Sequence, residues 1–460
     1  MIEKITIYHT NDIHSHFETW PNIKHEVTRQ RQIHEDNNET MFLFDIGDHI
    51  DRFHPFTEAN LGKGNIQLLN ECEFDAVTIG NNEGITLAHE DLLSLYDDAK
   101  FDVILANLFL ENGKRPNWAK PYQIYETASG VKIGVIGITV NFTSFYKPLG
   151  WNVTDPFAEL EHLIPLVRSQ CDILIVLSHL GLSEDERMAQ YFPQVDLILG
   201  AHTHHVLENG KIINDVLICC TGKYGMNLGK VELVFDIKQR ELVKKCAKLI
   251  PADELPIAKA EENFAENLYE EGKKQLLNPI AFLPEKLEID WFNDSPLNDL
   301  IASTLTEWCE ADCSFLNAGV LLDDLQAGIV TDYDIHRICP HPLNPCTVEL
   351  SGAELKELLV QTVDDKYTTL KFKGLGFRGE IFGKVIYDQI DITGEGSNIQ
   401  IEIGGEALEM DRIYKVATID MFTFGRFYPT LKRAKKQFFL PEFLRDLLKY
   451  SLAKRYPLQR

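Results

Sequence analysis

The first 245 residues repeat one local pattern, and it constrains the fold more than any other feature: a short run of Val, Ile, Leu and Phe, followed at once by small and polar residues. The runs fall at residues 5–9, 42–46, 76–79, 103–106, 132–138, 173–177 and 195–199. Runs this short and apolar predict strands buried on both faces. The helix-like stretches between them, such as residues 87–98 and 157–170, then predict a layered α/β domain. The second of these helices has a marked start, with Asp155 as N-cap and Pro156 at the first helical position.

Residues 258–275, rich in Ala, Glu and Lys, carry no strand pattern and predict a linker helix within 246–275. A smaller α/β domain follows over 276–460, with strands expected at 384–390, 399–403 and 413–417 and helices at 297–310 and 353–363. The chain has no long internal repeat and no low-complexity tract.

Charge narrows the function. The 460 residues carry 45 basic and 70 acidic side chains, a formal −25. That balance argues against a nucleic-acid binder, which gains affinity by lining phosphates with Lys and Arg. An anionic ligand therefore needs metal ions or a few placed basic groups. No run of about 18 apolar residues predicts a membrane span. The opening residues lack a secretion signal and the nine cysteines are scattered, so the chain is expected to be cytoplasmic with reduced thiols. Cys309 and Cys313 are read as one helix face and its end rather than half a zinc site. The last 30 residues hold nine basic and two acidic side chains, a local +7. A helix is expected from Pro441, with Phe443, Leu444, Leu447, Leu448 and Leu452 docked and its basic face solvated.

Five of the apolar runs end in metal-ligand residue types. Asp12-Ile13-His14 follows the first, Gly47-Asp48 the second, Gly80-Asn81 the third, Ser178-His179 a later one and Gly200-Ala201-His202-Thr203-His204 the last. Ligands bind beyond the carboxyl ends of strands in open α/β sheets, so these residues are expected to converge. Two Asp, one Asn and four His suit Mn, Zn, Fe or Co, with no thiolate among them. Seven donors exceed one tetrahedral ion but suit two divalent ions sharing a carboxylate, for which Asp48 is the best bridge. Two such ions lower the pKa of a shared water and clamp phosphoryl oxygens.

The same residues, read as Asn11-Asp12-Ile13-His14, Gly47-Asp48, Gly80-Asn81-Asn82-Glu83, Ser178-His179 and Gly200-Ala201-His202-Thr203-His204, resemble the calcineurin-like metallophosphoesterases. Within them the chain is most similar to the 5′-nucleotidase and UDP-sugar hydrolase family. Ala106-Asn107 and Ile136-Gly137-Ile138-Thr139 fit that subfamily, and the likeness continues through Asn317-Ala318-Gly319, Ala327-Gly328-Ile329-Val330-Thr331, Val348-Glu349-Leu350-Ser351-Gly352-Ala353-Glu354-Leu355 and Val416-Ala417-Thr418. The resemblance implies a four-layer α/β/β/α catalytic domain, a linking helix and a C-terminal nucleotide-binding domain. Carried over by motif, one ion takes Asp12, His14, Asp48 and His204. The other takes Asp48, Asn81, His179 and His202.

Two departures bear on activity. The family usually reads Gly-Asn-His-Glu-Phe-Asp, where the His stabilises the phosphoryl group or leaving oxygen and the Asp orients it. This chain reads Gly80-Asn81-Asn82-Glu83-Gly84-Ile85. Asn82 can donate a hydrogen bond but cannot deliver a proton. A substitute acid is sought in the stretch that follows Asp48, at His49 or His54, and a phosphate ligand there at Arg52. In the second domain the family's Asn-Gly-Gly-x-x-Arg becomes Asn317-Ala318-Gly319-Val320-Leu321-Leu322, without the Arg. Arg378 and Arg426 are then the candidates for phosphate, and Phe377, Phe424, Phe427 and Tyr428 for stacking a base, beside Asn317.

The leading expectation is a two-metal phosphohydrolase acting on nucleoside monophosphates by attack of an ion-activated water. The alternatives are hydrolysis of a nucleotide pyrophosphate, UDP-sugar or cyclic phosphodiester, and a degenerate metal- and nucleotide-binding sensor. The partner is a small phosphate ester, with neither nucleic acid nor membrane expected.

Overall fold

The apolar runs of the first half pair into two sheets. In the first, the strand order is Glu241–Pro251, Asn227–Asp236, Ile2–Thr10, Thr40–Asp45, Ala76–Val77, Asp102–Ile104, Ala119–Lys120. In the second it is Lys211–Ile213, Val216–Cys219, Leu197–Gly200, Ile173–His179, Lys132–Thr139, Tyr122–Glu126. The computed structural model describes residues 2–256, 261–363, 365–394 and 399–458, and the chain divides into two units, Met1–Gly272 and Lys273–Arg460.

The two sheets of the first unit pack face to face. Ile5, Ile7, Phe42 and Phe44 of one share a core with Ile133, Ile175 and Leu197 of the other. Outside the second sheet, helix Pro156–Arg168 buries Leu160, Ile164 and Val167 and helix Leu182–Tyr191 buries Met188 and Ala189. Helix Trp20–Asp36 packs against Thr40–Asp45 on the far side of the first sheet. Four layers, α/β/β/α, result. The Asp155 cap forms as its sequence suggests, its carboxylate accepting the Ala158 N–H at 2.9 Å.

The chain departs from expectation at the end of this unit. Residues 246–251 do not belong to a linker: strand Glu241–Pro251 lies antiparallel along Asn227–Asp236 at the sheet edge. Lys244, Lys245 and Lys248 hid it, because charge on an edge strand guards against pairing with another chain and interrupts the apolar signature. The helix that follows is Phe264–Gln275, and the expected onset at 258–260 lies outside the described residues.

In the second unit a five-stranded sheet runs Val385–Asp388, Cys313–Asn317, Ile413–Ile419, Pro345–Ser351, Lys435–Phe438. The strand expected over 384–390 is cut short at Asp388. Gln389 adopts φ 60°, and the turn sends Ile390–Thr393 into a separate sheet with Gln400–Ile403 and Glu406–Ala407. Helix Pro296–Cys309 packs on the terminal helix, which begins at Leu444 rather than Pro441 because the Asp446 carboxylate caps it on the Phe443 N–H at 2.8 Å. Leu444, Leu447, Leu448 and Leu452 of that helix are buried. Lys449, Lys454 and Lys435 pair outward with Asp332, Glu307 and Glu349, but the basic face is not solvated throughout: Arg445 is buried and donates to the Pro340 and His341 carbonyls at 3.2 and 3.1 Å. Arg460 lies outside the described residues. Cys309 and Cys313 are core residues whose thiols burial pushes up to about 12, so neither is poised as a thiolate ligand.

Candidate metal centre

Register brings the ligand residues together. Thr10 lies opposite Asp45 in a parallel pair, so the chain leaves the first sheet at Asn11 and at Ile46 on one level. Ser178 lies opposite Gly200, so His179, the last residue of its strand, and Ala201 stand level at one edge of the second sheet. In-register parallel strands share a carboxyl edge, and loops of one or two residues then suffice to bring their donors into contact.

These loops are backbone-strained. Asp12, His14, Asp48, His202 and His204 have φ of 52°, 50°, 53°, 72° and 57°, so five of the seven candidate ligands occupy the left-handed region. Each such residue costs roughly 1–2 kcal/mol, and the surroundings must enforce it. They do so by zipping the loops together. The Asp12 N–H donates to the Gly47 carbonyl at 3.0 Å and the His14 N–H to the Asp48 carbonyl at 2.8 Å. Glu83 completes the clamp, its buried carboxylate accepting the N–H of Asp48 at 2.9 Å, Gly80 at 2.8 Å and Ile50 at 3.0 Å. Gly47 has φ 85°, and a Cβ there would meet the Gly80 nitrogen at 2.2 Å, so glycine is required on both counts.

The side chains form two groups, Asp12 with His14 and His204, and Asp48 with His179 and His202. Within each group the ligand atoms lie within 4.8 Å of one another. Asp48 Oδ2 faces both groups, 3.7 Å from His14 Nε2 and 3.4 Å from His179 Nε2. His14 Nε2 is 3.2 Å from His204 Nε2, and His204 Nε2 is 3.4 Å from Asp12 Oδ1. His179 is oriented from behind, its Nδ1 2.6 Å from the Ile46 carbonyl.

The donor set fits divalent ions. His179 Nε2 and Asn81 Oδ1 are buried without a hydrogen-bond partner, a costly state for a polar atom unless a cation accepts its lone pair. Electrostatics agree. Burial opposes charge on both Asp48 and His179, yet each holds the other ionised. The Asp48 carboxyl lies well below the usual carboxylate range, under the influence of His179, His14 and the Asn82 N–H, while His179 is pushed up to about 10 by Asp48 and Asp12. All-nitrogen and oxygen donors suit borderline divalent metals.

The other candidates take different positions. Asn82 is buried, its N–H donating to Asp48 Oδ1 at 2.7 Å and its amide nitrogen to the Ile50 carbonyl at 2.9 Å. His49 is buried edge-on against Trp20, with ring centroids 4.9 Å apart, and its Nδ1 faces the Asn65 amide at 3.2 Å. Arg52 grips both Glu58 oxygens at 2.7 and 3.0 Å and donates to the Thr86 carbonyl at 2.7 Å, a bracket between loops. His54 Nδ1 caps helix Pro55–Asn60 through the Phe56 N–H at 3.2 Å.

In the second unit, Phe377 is 1% exposed and stacks on His341 at 5.1 Å and 16°. Phe427 and Tyr428 are likewise buried, so of the four expected stacking rings only Phe424 is exposed. Arg378 donates its N–H to His341 Nδ1 at 2.9 Å, and Arg426 lies 4.5 Å over the Phe372 ring. Asn317 donates to the Phe382 carbonyl at 2.7 Å while its Oδ1 is buried without a partner.

Several residues at these sites carry little sequence signal. Asp51 Oδ2 sits 3.4 Å from His14 Nδ1, on the side away from the ligand cluster; its nearness to Asp48 in the chain is the one hint. Tyr224 reaches the site only because Asn227–Asp236 closes antiparallel on the first strand, and its N–H donates to the Asp12 carbonyl at 2.7 Å.

Comparison with known proteins is consistent with this architecture. Residues 5–206 match the calcineurin-like phosphoesterase family and residues 279–433 the 5′-nucleotidase C-terminal domain. The Bacillus subtilis (strain 168) protein named uncharacterized metallophosphoesterase YunD is 45% identical over 98% of this chain and all of its own length. A Vibrio cholerae 5′-nucleotidase is 25% identical over 90% of this chain and 83% of its own. Among solved structures, a Staphylococcus aureus chain in complex with alpha-ketoglutarate shares the fold with a TM-score of 0.72 at 18% identity, covering 99% of this chain and 98% of that one. The chain thus belongs to the metallophosphoesterases, as a phosphoester hydrolase whose calcineurin-like phosphoesterase domain is followed by a 5′-nucleotidase C-terminal domain.

Proposed function

We propose that the protein is a two-metal nucleotide phosphohydrolase of the 5′-nucleotidase type, releasing phosphate from nucleoside monophosphates. The observation that carries this reading is Asp48 Oδ2 facing His14 and His179 at 3.7 and 3.4 Å, the position of a carboxylate shared by two ions. Asp12, His14, Asp48 and His204 would hold one ion, and Asp48, Asn81, His179 and His202 the other. Such ions supply charge for phosphoryl oxygens and acidify water. The chain's own residues fix the geometry: Glu83 holds the Asp48 and Gly80 loops, and the Ile46 carbonyl fixes the tautomer of His179.

A second reading concerns the leaving group. The Asn82 amide cannot give up a proton, and it donates to the Ile50 carbonyl. Chemistry in which the leaving oxygen needs no acid is then favoured: a nucleotide pyrophosphate, a UDP-sugar or a cyclic phosphodiester. Nine unpaired cysteines support a reducing, cytoplasmic setting.

The test is turnover of AMP, UDP-glucose, a dinucleotide and an aryl phosphodiester with Mn²⁺, Co²⁺ or Zn²⁺. Metal-dependent hydrolysis of AMP above the others supports the first reading, and preference for the diester or anhydride the second. No metal-dependent turnover on any of them would sink both. Asp48→Asn is expected to abolish activity.

A further inference from the structure

We propose that Lys223 binds a phosphate oxygen of substrate and product. The inference rests on the phosphohydrolase reading above and adds a recognition residue to it.

The segment 221–224 is fastened to the metal-ligand loop. Asn11, next to Asp12, donates from Nδ2 to the Gly222 carbonyl at 2.8 Å, and its Oδ1 accepts the Thr221 N–H at 3.0 Å and hydroxyl at 2.6 Å. The Tyr224 N–H donates to the Asp12 carbonyl at 2.7 Å. Tyr224 is held at φ 60°, a strained conformation for a bulky side chain that needs such anchoring. Its ring meets that of His14 at 5.9 Å and lies 3.8 Å from that of His16. Lys223 Nζ sits 4.4 Å above the centre of the same ring. The ammonium is therefore one aromatic ring away from a candidate ligand.

What marks Lys223 is its place beside the ligand cluster, in a chain whose formal charge is −25. Among the described residues Lys223 has no carboxylate within ion-pairing distance, and its ring contact is with an uncharged tyrosine. Arg52, by contrast, is committed to Glu58. An ammonium held by a ring beside a phosphoester site, without a counter-ion, is available to an anion. The Lys223 side chain is partly exposed, so it can be replaced without opening the core.

The test is calorimetric titration of inorganic phosphate into Mn²⁺-loaded wild type, Lys223→Met and Lys223→Arg, with metal content and melting temperature measured on each. Loss of a charge-assisted contact is expected to weaken phosphate binding about tenfold or more in Lys223→Met, with metal content and melting temperature unchanged. Lys223→Arg is expected to keep most of the affinity. The proposal is overturned if Lys223→Met binds phosphate as wild type does, if its loss is matched by loss of Mn²⁺, or if wild type binds no phosphate. Phosphate affinity that depends on Lys223 without any hydrolysis would overturn the functional reading and leave this one standing. Hydrolysis with phosphate affinity indifferent to Lys223 would do the reverse.

Discussion

The amide nitrogen of Asn82 lies 3.0 Å from Nδ1 of His14, and the same nitrogen donates to the Ile50 carbonyl at 2.9 Å. With Asp51 Oδ2 3.4 Å from that Nδ1, the face of His14 opposite its ligand atom is fully occupied by protein. A side chain held this way orients the His14 imidazole, and an amide has no proton to give a departing alkoxide.

Restoring a histidine at this position tests that division of labour. Asn82→His should raise turnover of AMP relative to an aryl phosphate, by at most ~10²-fold, because general acid catalysis matters most for a basic leaving group. Asn82→Ala should instead slow both substrates by weakening the ion site around His14. Equal gains on both substrates in Asn82→His would show that proton delivery is not what limits the rate.

Glu83 should prove more important to folding than to chemistry. Its carboxylate is buried and satisfies three peptide N–H groups on two loops. Glu83→Ala orphans all three, at about 1–3 kcal/mol for each donor that water cannot reach. Denaturant unfolding of the metal-free protein should therefore show a loss of several kcal/mol, with Glu83→Gln intermediate because it keeps one acceptor oxygen. A loss for Glu83→Ala below ~0.5 kcal/mol, the size of an ordinary surface substitution, would mean the loops are held otherwise.

The candidate metal centre was legible because each candidate ligand follows an apolar run, and in-register parallel strands do the remaining work of convergence. What stayed hidden depends on direction or on distant pairing. Phe377, in a Gly-flanked loop, reads equally well as an outward stacking ring or a core residue; it turns inward because His341, from a separate loop, offers it a flat partner. His49 and Arg52 follow Asp48 in sequence, yet their side chains turn to Trp20 and to Glu58, away from the direction that adjacency suggests. Strand Glu241–Pro251 and the Tyr224 contact both need the antiparallel closure of Asn227–Asp236, which no local pattern announces.

Metal uptake should release protons. Without an ion His179 keeps its proton to about pH 10, opposed by burial and sustained by Asp48. A bound cation takes that proton's place on Nε2, so at pH 7 ion binding should expel about one proton. Affinity should accordingly rise with pH across the neutral range. Calorimetry of Mn²⁺ binding in buffers of different ionisation enthalpy reads the number directly. A result of zero would mean that His179 is already neutral in the metal-free protein.

Acid should weaken both units through buried histidines outside the candidate ligand set. His9 and His341 are buried, and burial pushes each from 6.5 down to about 3, aided at His341 by Arg378. Between those values the unfolded chain binds a proton that the folded chain refuses. Their contribution is therefore complete above pH 6.5 and is lost as pH falls toward 3, at about 1.4 kcal/mol per pH unit for each histidine. Asp420 has the opposite sign: burial raises its carboxyl to about 7, so its contribution is complete below the ordinary value of 3.8 and fades as pH rises toward 7. His9 Nδ1 has no hydrogen-bond partner, which makes His9→Phe a clean removal of the titration, while His341→Gln keeps an acceptor for the Arg378 N–H. Urea unfolding at pH 7.5 and 5.0 should show a smaller difference for either variant than for wild type. A variant whose loss between the two pH values equals that of wild type would clear its histidine of the effect.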